Sequence, residues 1–195
     1  VQTFPRDFET RTISSSNRIQ LYPKIAGDYV TWIEFNQGMS KIKLYDGEST
    51  QVVFEGPVHA DNFDLDANGN VVWAMEDSMP GEGDDLELFR WDGNAVQRLT
   101  RNFVDDESPV LVDGQLVWVS DTAVLFDQGA QTILLTQAGG LPHFDGQSVA
   151  FLGTIPASSR TQFRLYNGAE TQTLTDPTQS SIPLSRVAGD YVVWS

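Results

Sequence analysis

The sequence predicts an all-β chain, a five-bladed β-propeller of four-stranded antiparallel blades. Three observations predict it. First, a tight turn followed by a strand ending on an aromatic recurs five times. The copies are Ala26-Gly27-Asp28-Tyr29-Val30-Thr31-Trp32, Ala67-Asn68-Gly69-Asn70-Val71-Val72-Trp73, Val112-Asp113-Gly114-Gln115-Leu116-Val117-Trp118, Phe144-Asp145-Gly146-Gln147-Ser148-Val149-Ala150-Phe151 and Ala188-Gly189-Asp190-Tyr191-Val192-Val193-Trp194. Second, the anchors Trp32, Trp73, Trp118, Phe151 and Trp194 stand 41, 45, 33 and 43 residues apart, close to the period of one propeller blade. Third, no window carries the 3.6-residue apolar period of a helix.

Within each unit four short strands can be read in order. A Pro (Pro23, Pro109, Pro142 or Pro183) marks the first, because Pro is tolerated at a strand start or edge and not in mid-ladder. A Gly-Asp, Asn-Gly or Asp-Gly turn, the strongest short hairpin signal, leads into the second. The third alternates apolar and polar residues and closes on a Gly-bearing turn, as in Ile42-Lys43-Leu44-Tyr45-Asp46-Gly47 and Phe163-Arg164-Leu165-Tyr166-Asn167-Gly168. The fourth is Thr-rich and tends to end in Leu-Thr. The short third interval between anchors follows from a shortened loop between Val119 and Ala123.

The chain reads as one propeller domain over 1–195, with blades at about 21–54, 61–100, 108–136 and 141–175. The fifth is begun at about 182–195 and completed by N-terminal strands over about 1–14. Pairing the two ends in one blade closes the ring without exposed sheet edges. The rival reading is a segment of a longer array, its terminal strands paired elsewhere.

The stretch Leu99-Thr100, Asp105-Asp106-Glu107-Ser108-Pro109, Asp113-Gly114 and Val117-Trp118 resembles the TolB/WD40-like class of β-propeller repeats, and similar spacing recurs over nearly the whole chain. The Ser-Pro-Asp-Gly turn of TolB is absent, and Trp91-Asp92 falls on a third strand instead of a blade end. The resemblance implies a propeller used as a binding platform and carries over no catalytic residues.

Composition narrows the function. With 27 Asp+Glu against 12 Lys+Arg, the net charge is −15, which repels nucleic-acid phosphates and favours cations. No apolar run reaches the ~20 residues of a membrane helix. Without cysteine there is neither a disulfide nor a thiol nucleophile. The chain opens on Val1 without a signal-like segment, so it reads as a mature form or a piece of a longer exported protein, extracellular or in the cell envelope, and monomeric as a domain.

Two groups of residues are candidate sites. The loops of one face bring together Glu76, Asp77, Asp84 and Asp85 from inside blade 2 with Asp105 and Asp106 between blades 2 and 3. His59 and Asp61, between blades 1 and 2, open on the same face. Converging carboxylates can supply the six to eight oxygens Ca²⁺ prefers; a solvated acidic rim is the plainer alternative. The second group is Lys24, His143 and Arg186, on innermost strands around the central channel, where three basic groups can hold an anion or pair with nearby Asp. Asp64-Leu65-Asp66-Ala67-Asn68-Gly69 opens like a calcium loop, but the twelfth position is Met75 and lacks the Glu that loop requires.

Neither a G-x-S-x-G elbow nor an H-E-x-x-H pair occurs. Asp64 and Asp66 form an inner-strand carboxylate pair, the minimum for glycoside hydrolysis. The repeated aromatics read as inter-blade packing, whereas Phe35 and Phe103 on loops are better placed to stack on a ligand. The sequence therefore favours a non-catalytic recognition or scaffold domain that binds a protein or glycan, with no cofactor required and Ca²⁺ as the candidate ion. A glycosidase and a purely structural repeat module are the alternatives.

Overall fold

A computed structural model describes residues 10–36, 39–77, 84–155, 158, 160–177 and 185–194. Among them every regular element is a β-strand. Sheet 1 contains β1 (Ile19–Ala26), β2 (Tyr29–Asn36), β3 (Met39–Tyr45) and β4 (Thr50–Gly56); sheet 2 contains β5 (Val58–Leu65), β6 (Val71–Asp77), β7 (Asp85–Trp91) and β8 (Val96–Arg98). Sheet 3 contains β9 (Asp106–Val112), β10 (Gln115–Ser120), β11 (Ala123–Asp127) and β12 (Thr132–Thr136); sheet 4 contains β13 (Gly139–Phe144), β14 (Val149–Thr154), β15 (Thr161–Tyr166) and β16 (Thr171–Thr173). Sheet 5 pairs β17 (Ser185–Ala188) with β18 (Tyr191–Trp194). Each sheet is an antiparallel meander, and the first strands β1, β5, β9, β13 and β17 lie side by side.

The core lies between the sheets. Successive residues of a strand point to opposite faces, so each of sheets 2 to 4 buries one set against its predecessor and the other against its successor. Trp73 and Val71 pack on Ile33, Ile42 and Leu44 of sheet 1. Val72, Ala74 and Leu88 of the same sheet pack on Leu111, Leu116 and Trp118 of sheet 3. Phe126 meets Phe144 edge-on at 5.0 Å between sheets 3 and 4, an orientation the ring quadrupoles favour. The hairpins follow the predicted turn chemistry. Asp113 and Gly114, with φ of 49° and 81°, form the two-residue loop with both φ positive that matches strand twist.

Two expectations are corrected. The inner-strand prolines do not start strands: Pro23, Pro109 and Pro142 stand inside β1, β9 and β13, each at a register shift. The residue before each, Tyr22, Ser108 or Leu141, has a φ of 50–54°. The bulge removes one residue from the ladder, so the missing proline N–H breaks no pairing. Pro183 lies outside the described residues.

The second correction concerns residues 10–14, the described part of the expected N-terminal closing strands. Residues 1–9 lie outside the described set, and residues 10–14 form no strand. They run instead along sheet 1. Arg11 donates to the Gly47 carbonyl at 3.0 Å, the Thr50 hydroxyl donates to the Ile13 carbonyl at 2.9 Å, and Ile13 lines a small cavity with Trp32 and Val30. Sheet 5 has two strands, and the five sheets form no closed ring among the described residues.

Candidate functional site

The polar residues of the innermost strands are built into the joints between sheets. Asn62 and Asp64 are alternate residues of β5 and Asp66 directly follows its last residue, so the alternation of the strand carries the three side chains to one side. Each accepts a hydrogen bond from a backbone amide of sheet 3: Ser108 N–H to Asn62 Oδ1 at 2.6 Å, Leu111 N–H to Asp64 Oδ2 at 2.8 Å and Gly114 N–H to Asp66 Oδ2 at 3.0 Å. Asp66 also accepts from the Asn68 and Asn70 amides and the Asn70 side chain, closing its own hairpin. The same device joins sheets 4 and 5, where Val187 N–H donates to His143 Nδ1 at 3.1 Å and Gly189 N–H to Asp145 Oδ2 at 2.8 Å. Between sheets 3 and 4 the corresponding residues are Val110 and Val112, and the joint is apolar.

Register places Lys24, Asp64, Val110, His143 and Arg186 at one equivalent position, each opposite Thr31, Val72, Val117, Ala150 or Val193. Lys24 Nζ sits 3.1 Å from Asp64 Oδ1 and 5.3 Å from the Phe63 ring centre. Two of the three basic groups, Lys24 and His143, thus have partners on the adjacent blade. Lys24 is paired, and His143 Nδ1 accepts a hydrogen bond from the Val187 amide, which requires a neutral ring. The Asp64–Asp66 pair is likewise committed to Lys24 and to amides of sheet 3.

Burial and the Arg186 charge hold the His143 pKa below its usual 6.5, against the opposing pull of Asp145 and Asp64. The unfolded chain thus takes up a proton first as pH falls. The contribution of His143 to stability is complete above 6.5 and is lost as pH drops through the folded value. We expect thermal stability to decline across this window and the decline to flatten in His143→Leu. Unfolding curves from pH 7.5 to 5 test this.

The acidic face is wired inward. Arg98 bridges Asp77 Oδ2 at 2.7 Å and the fully buried Glu87 Oε1 at 2.9 Å. Glu87 Oε1 also accepts the Asn102 amide, Asn102 Nδ2 donates to Asp106 Oδ2 at 2.6 Å, and Trp118 Nε1 donates to Asp106 Oδ1 at 3.0 Å. Asp105 Oδ1 accepts the Leu86 amide. Asp106 is therefore the first residue of β9 and fully buried, not a rim carboxylate. Asp84 and Glu76 are exposed. His59 and Asp61 fall within β5 and not in an inter-sheet loop; their side chains lie outside the described set. Among the described residues no three His, Asp or Glu side chains converge in metal-ligand geometry.

Asp85 differs from its neighbours. It is buried, and neither carboxylate oxygen has a hydrogen-bond partner among the described residues. Burial, with the charges of Glu87 and Asp105, raises its pKa against the opposing pull of its own backbone amide and of Arg98. A raised folded pKa contributes stability at low pH that is lost as pH rises through it. Asp85→Asn is expected to raise the melting temperature at pH 7 and to change little at pH 3, which unfolding curves at the two pH values check.

Sequence reasoning missed Glu87, Arg98, Asn102 and Asn62. Their donors and acceptors come from other strands or loops, and no local pattern marks them. It also missed a groove of about 700 Å³ between β12 and β14–β15, lined by Leu134 to Ala138, Thr154 and Arg164.

No family model matches the chain, and no curated protein sequence does. Solved structures do. The β-propeller domain of the Trilobed protease from Pyrococcus furiosus, which has an open velcro topology, superposes with a TM-score of 0.62 at 12% identity over 90% of this chain. The fold is a β-propeller. Pyrococcus horikoshii acylaminoacyl peptidase aligns with a TM-score of 0.60 at 14% identity, again over 90% of the chain. A chain of the nidogen/laminin complex aligns at 0.51 and 16% over 89%. The propeller spans 62% of the Trilobed protease domain, 35% of the acylaminoacyl peptidase and 70% of the nidogen/laminin chain. Identities this low carry the fold alone.

Proposed function

We propose that this propeller is a non-catalytic recognition or scaffold domain within a larger exported protein, presenting one loop face to a protein or glycan. One observation carries the reading. The polar groups of the innermost strands, where a propeller enzyme would mount its carboxylates, are spent on amides and charges of the adjacent blade. A general acid needs a free proton site within reach of substrate, and Asp64 and Asp66 offer none. What remains for recognition is the loop face with exposed Asp84 and Phe103, and the groove beside Arg164. Its acidity favours a basic partner over nucleic acid.

The test is to screen the chain for binding and for hydrolysis against the same glycan and protein panel. Binding without turnover, lost on Phe103→Ala or Arg164→Ala, supports the reading. Glycan turnover abolished by Asp64→Asn contradicts it and reinstates the glycosidase.

Ca²⁺ is the candidate ion for the acidic face, with the unpartnered Asp85 as the ligand that gains most. A ligand at 100 times its Kd stabilises by ~2.7 kcal/mol. The expected result is a melting temperature higher in millimolar Ca²⁺ than in EDTA or Mg²⁺, with the difference lost in Asp85→Asn. An unchanged melting temperature removes the ion from the account.

A further inference from the structure

Two Asn-Gly pairs occur in the chain, Asn68-Gly69 and Asn167-Gly168. Both stand in tight turns, the first between β5 and β6 and the second between β15 and β16. In each the glycine has a left-handed φ, 80° at Gly69 and 91° at Gly168, which a side chain would resist. The two turns hold their atoms differently. Gly69 N–H donates to the Asp66 carbonyl at 3.1 Å, and the Asp66 carboxylate binds the Asn68 and Asn70 amides. The Tyr29 ring of blade 1 also lies against Gly69, 2.6 Å from where a Cβ would stand.

The second turn is open. Asn167, Gly168, Ala169 and Glu170 are all exposed. Asn167 Oδ1 accepts the Ala169 and Glu170 amides, each at 3.0 Å, and the Tyr166 hydroxyl donates to the Gly168 carbonyl at 2.9 Å. Among the described residues the Gly168 N–H has no acceptor. The side-chain carbonyl of Asn167 is thus fixed between two amide donors. They polarise Cγ and are placed to receive the charge that grows on Oδ1 when a nucleophile adds there. The neighbouring Gly168 nitrogen is that nucleophile, free of a competing hydrogen bond and of a hindering side chain.

We propose that Asn167 is a site of spontaneous deamidation. The Gly168 nitrogen adds to Asn167 Cγ, the Cγ–Nδ2 bond breaks, and the proton lost by Gly168 leaves with Nδ2 as ammonia. Water then opens the succinimide ring at either carbonyl, giving an aspartyl or an isoaspartyl residue. Blade 1 shows that the aspartyl product fits. Tyr45-Asp46-Gly47-Glu48-Ser49 builds the same turn on a carboxylate: Asp46 Oδ1 accepts the Glu48 and Ser49 amides at 2.9 and 2.7 Å, the Tyr45 hydroxyl donates to the Gly47 carbonyl, and Gly47 has a φ of 96°. The Ser49 and Glu48 amides hold the Asp46 pKa below its ordinary range, so a carboxylate in this turn is ionised and well bonded. The isoaspartyl product instead lengthens the main chain by a methylene and loses this pattern. The β15–β16 turn lies at the opposite end of the strands from the loop that bears Asp84, so the inference stands apart from the recognition reading.

The test incubates the full chain at pH 8 and 37 °C for several days and digests it at acid pH. Mass spectrometry then resolves the peptides holding each pair into asparaginyl, aspartyl and isoaspartyl forms. Asn167 is expected to react faster than Asn68 by on the order of tenfold, the factor that one hydrogen bond of ordinary strength at Gly69 supplies. In guanidinium chloride, where neither turn exists, the two rates should converge. Equal rates in the native chain, a faster Asn68, or no deamidation at either pair overturns the proposal. So does a preference for Asn167 that persists undiminished in guanidinium chloride, which makes the neighbouring sequence and not the turn its cause.

Discussion

Trp73→Ala is expected to destabilise the chain by ~3–5 kcal/mol, the range for removing a large buried aromatic. Trp73 is fully buried between sheets 1 and 2, its ring 5.1 Å from Phe54 and 6.2 Å from Phe89. Removing it opens a cavity that two sheets must collapse to fill, and cores relax only in part. Trp73→Phe should cost much less, because the Trp73 Nε1 has no hydrogen-bond partner among the described residues to lose. Trp118 makes the opposite case: its Nε1 donates to the buried Asp106, so Trp118→Phe leaves a carboxylate oxygen short of a donor. Chemical denaturation of the three variants at one pH checks the ranking.

The second large effect is expected at Asp66. Asp66→Ala removes the acceptor of four hydrogen bonds, two amides and one side chain of its own hairpin and the Gly114 amide of the next sheet. Asp66 itself is buried. A buried donor left without an acceptor costs ~1–3 kcal/mol, so the variant should lose about 3 kcal/mol or more in sum. Asp66→Asn retains one oxygen and should lose less. Asp46→Ala and Asp92→Ala are the controls. Each caps a turn with two amides in the same manner, but at an exposed site where water replaces the lost acceptor.

The blade repeat was legible because three local signals coincide in each copy: turn residues, alternation and an aromatic anchor. These set the strands of sheets 1 to 4 to within a few residues. The bulge was not legible. Pro23, Pro109 and Pro142 signal a break in the ladder, but nothing local says that Tyr22, Ser108 and Leu141 turn to positive φ and let the strand continue. Residues 10–14 depart from the expected closing strand for a related reason. A Thr-rich extended segment suits any sheet edge, and where it lies is decided by distant groups, here Gly47, Thr50 and the cavity beside Trp32.

The candidate sites split along the same line. Lys24, Asp64, His143 and Arg186 were recognisable as innermost-strand residues, since position follows from the repeat. The roles of Asp64 and His143 depend on backbone amides of the following sheet, which every residue but proline carries and no sequence pattern distinguishes, and that of Lys24 depends on the Asp64 carboxylate. The acidic loops were found by composition, yet composition cannot tell the buried Asp106, held by Trp118 and Asn102, from the exposed Asp84.

The central claim is that the inner-strand polar residues join blades and do not form an active centre. Amide hydrogen exchange at Leu111 and Gly114 in Asp64→Ala and Asp66→Ala tests it most directly, because those amides belong to the neighbouring blade. Faster exchange at Leu111 in the first variant and at Gly114 in the second, with the rest of β9–β12 little changed, is the predicted result. Exchange unchanged at both amides, together with a hydrolytic activity that disappears in either variant, contradicts it.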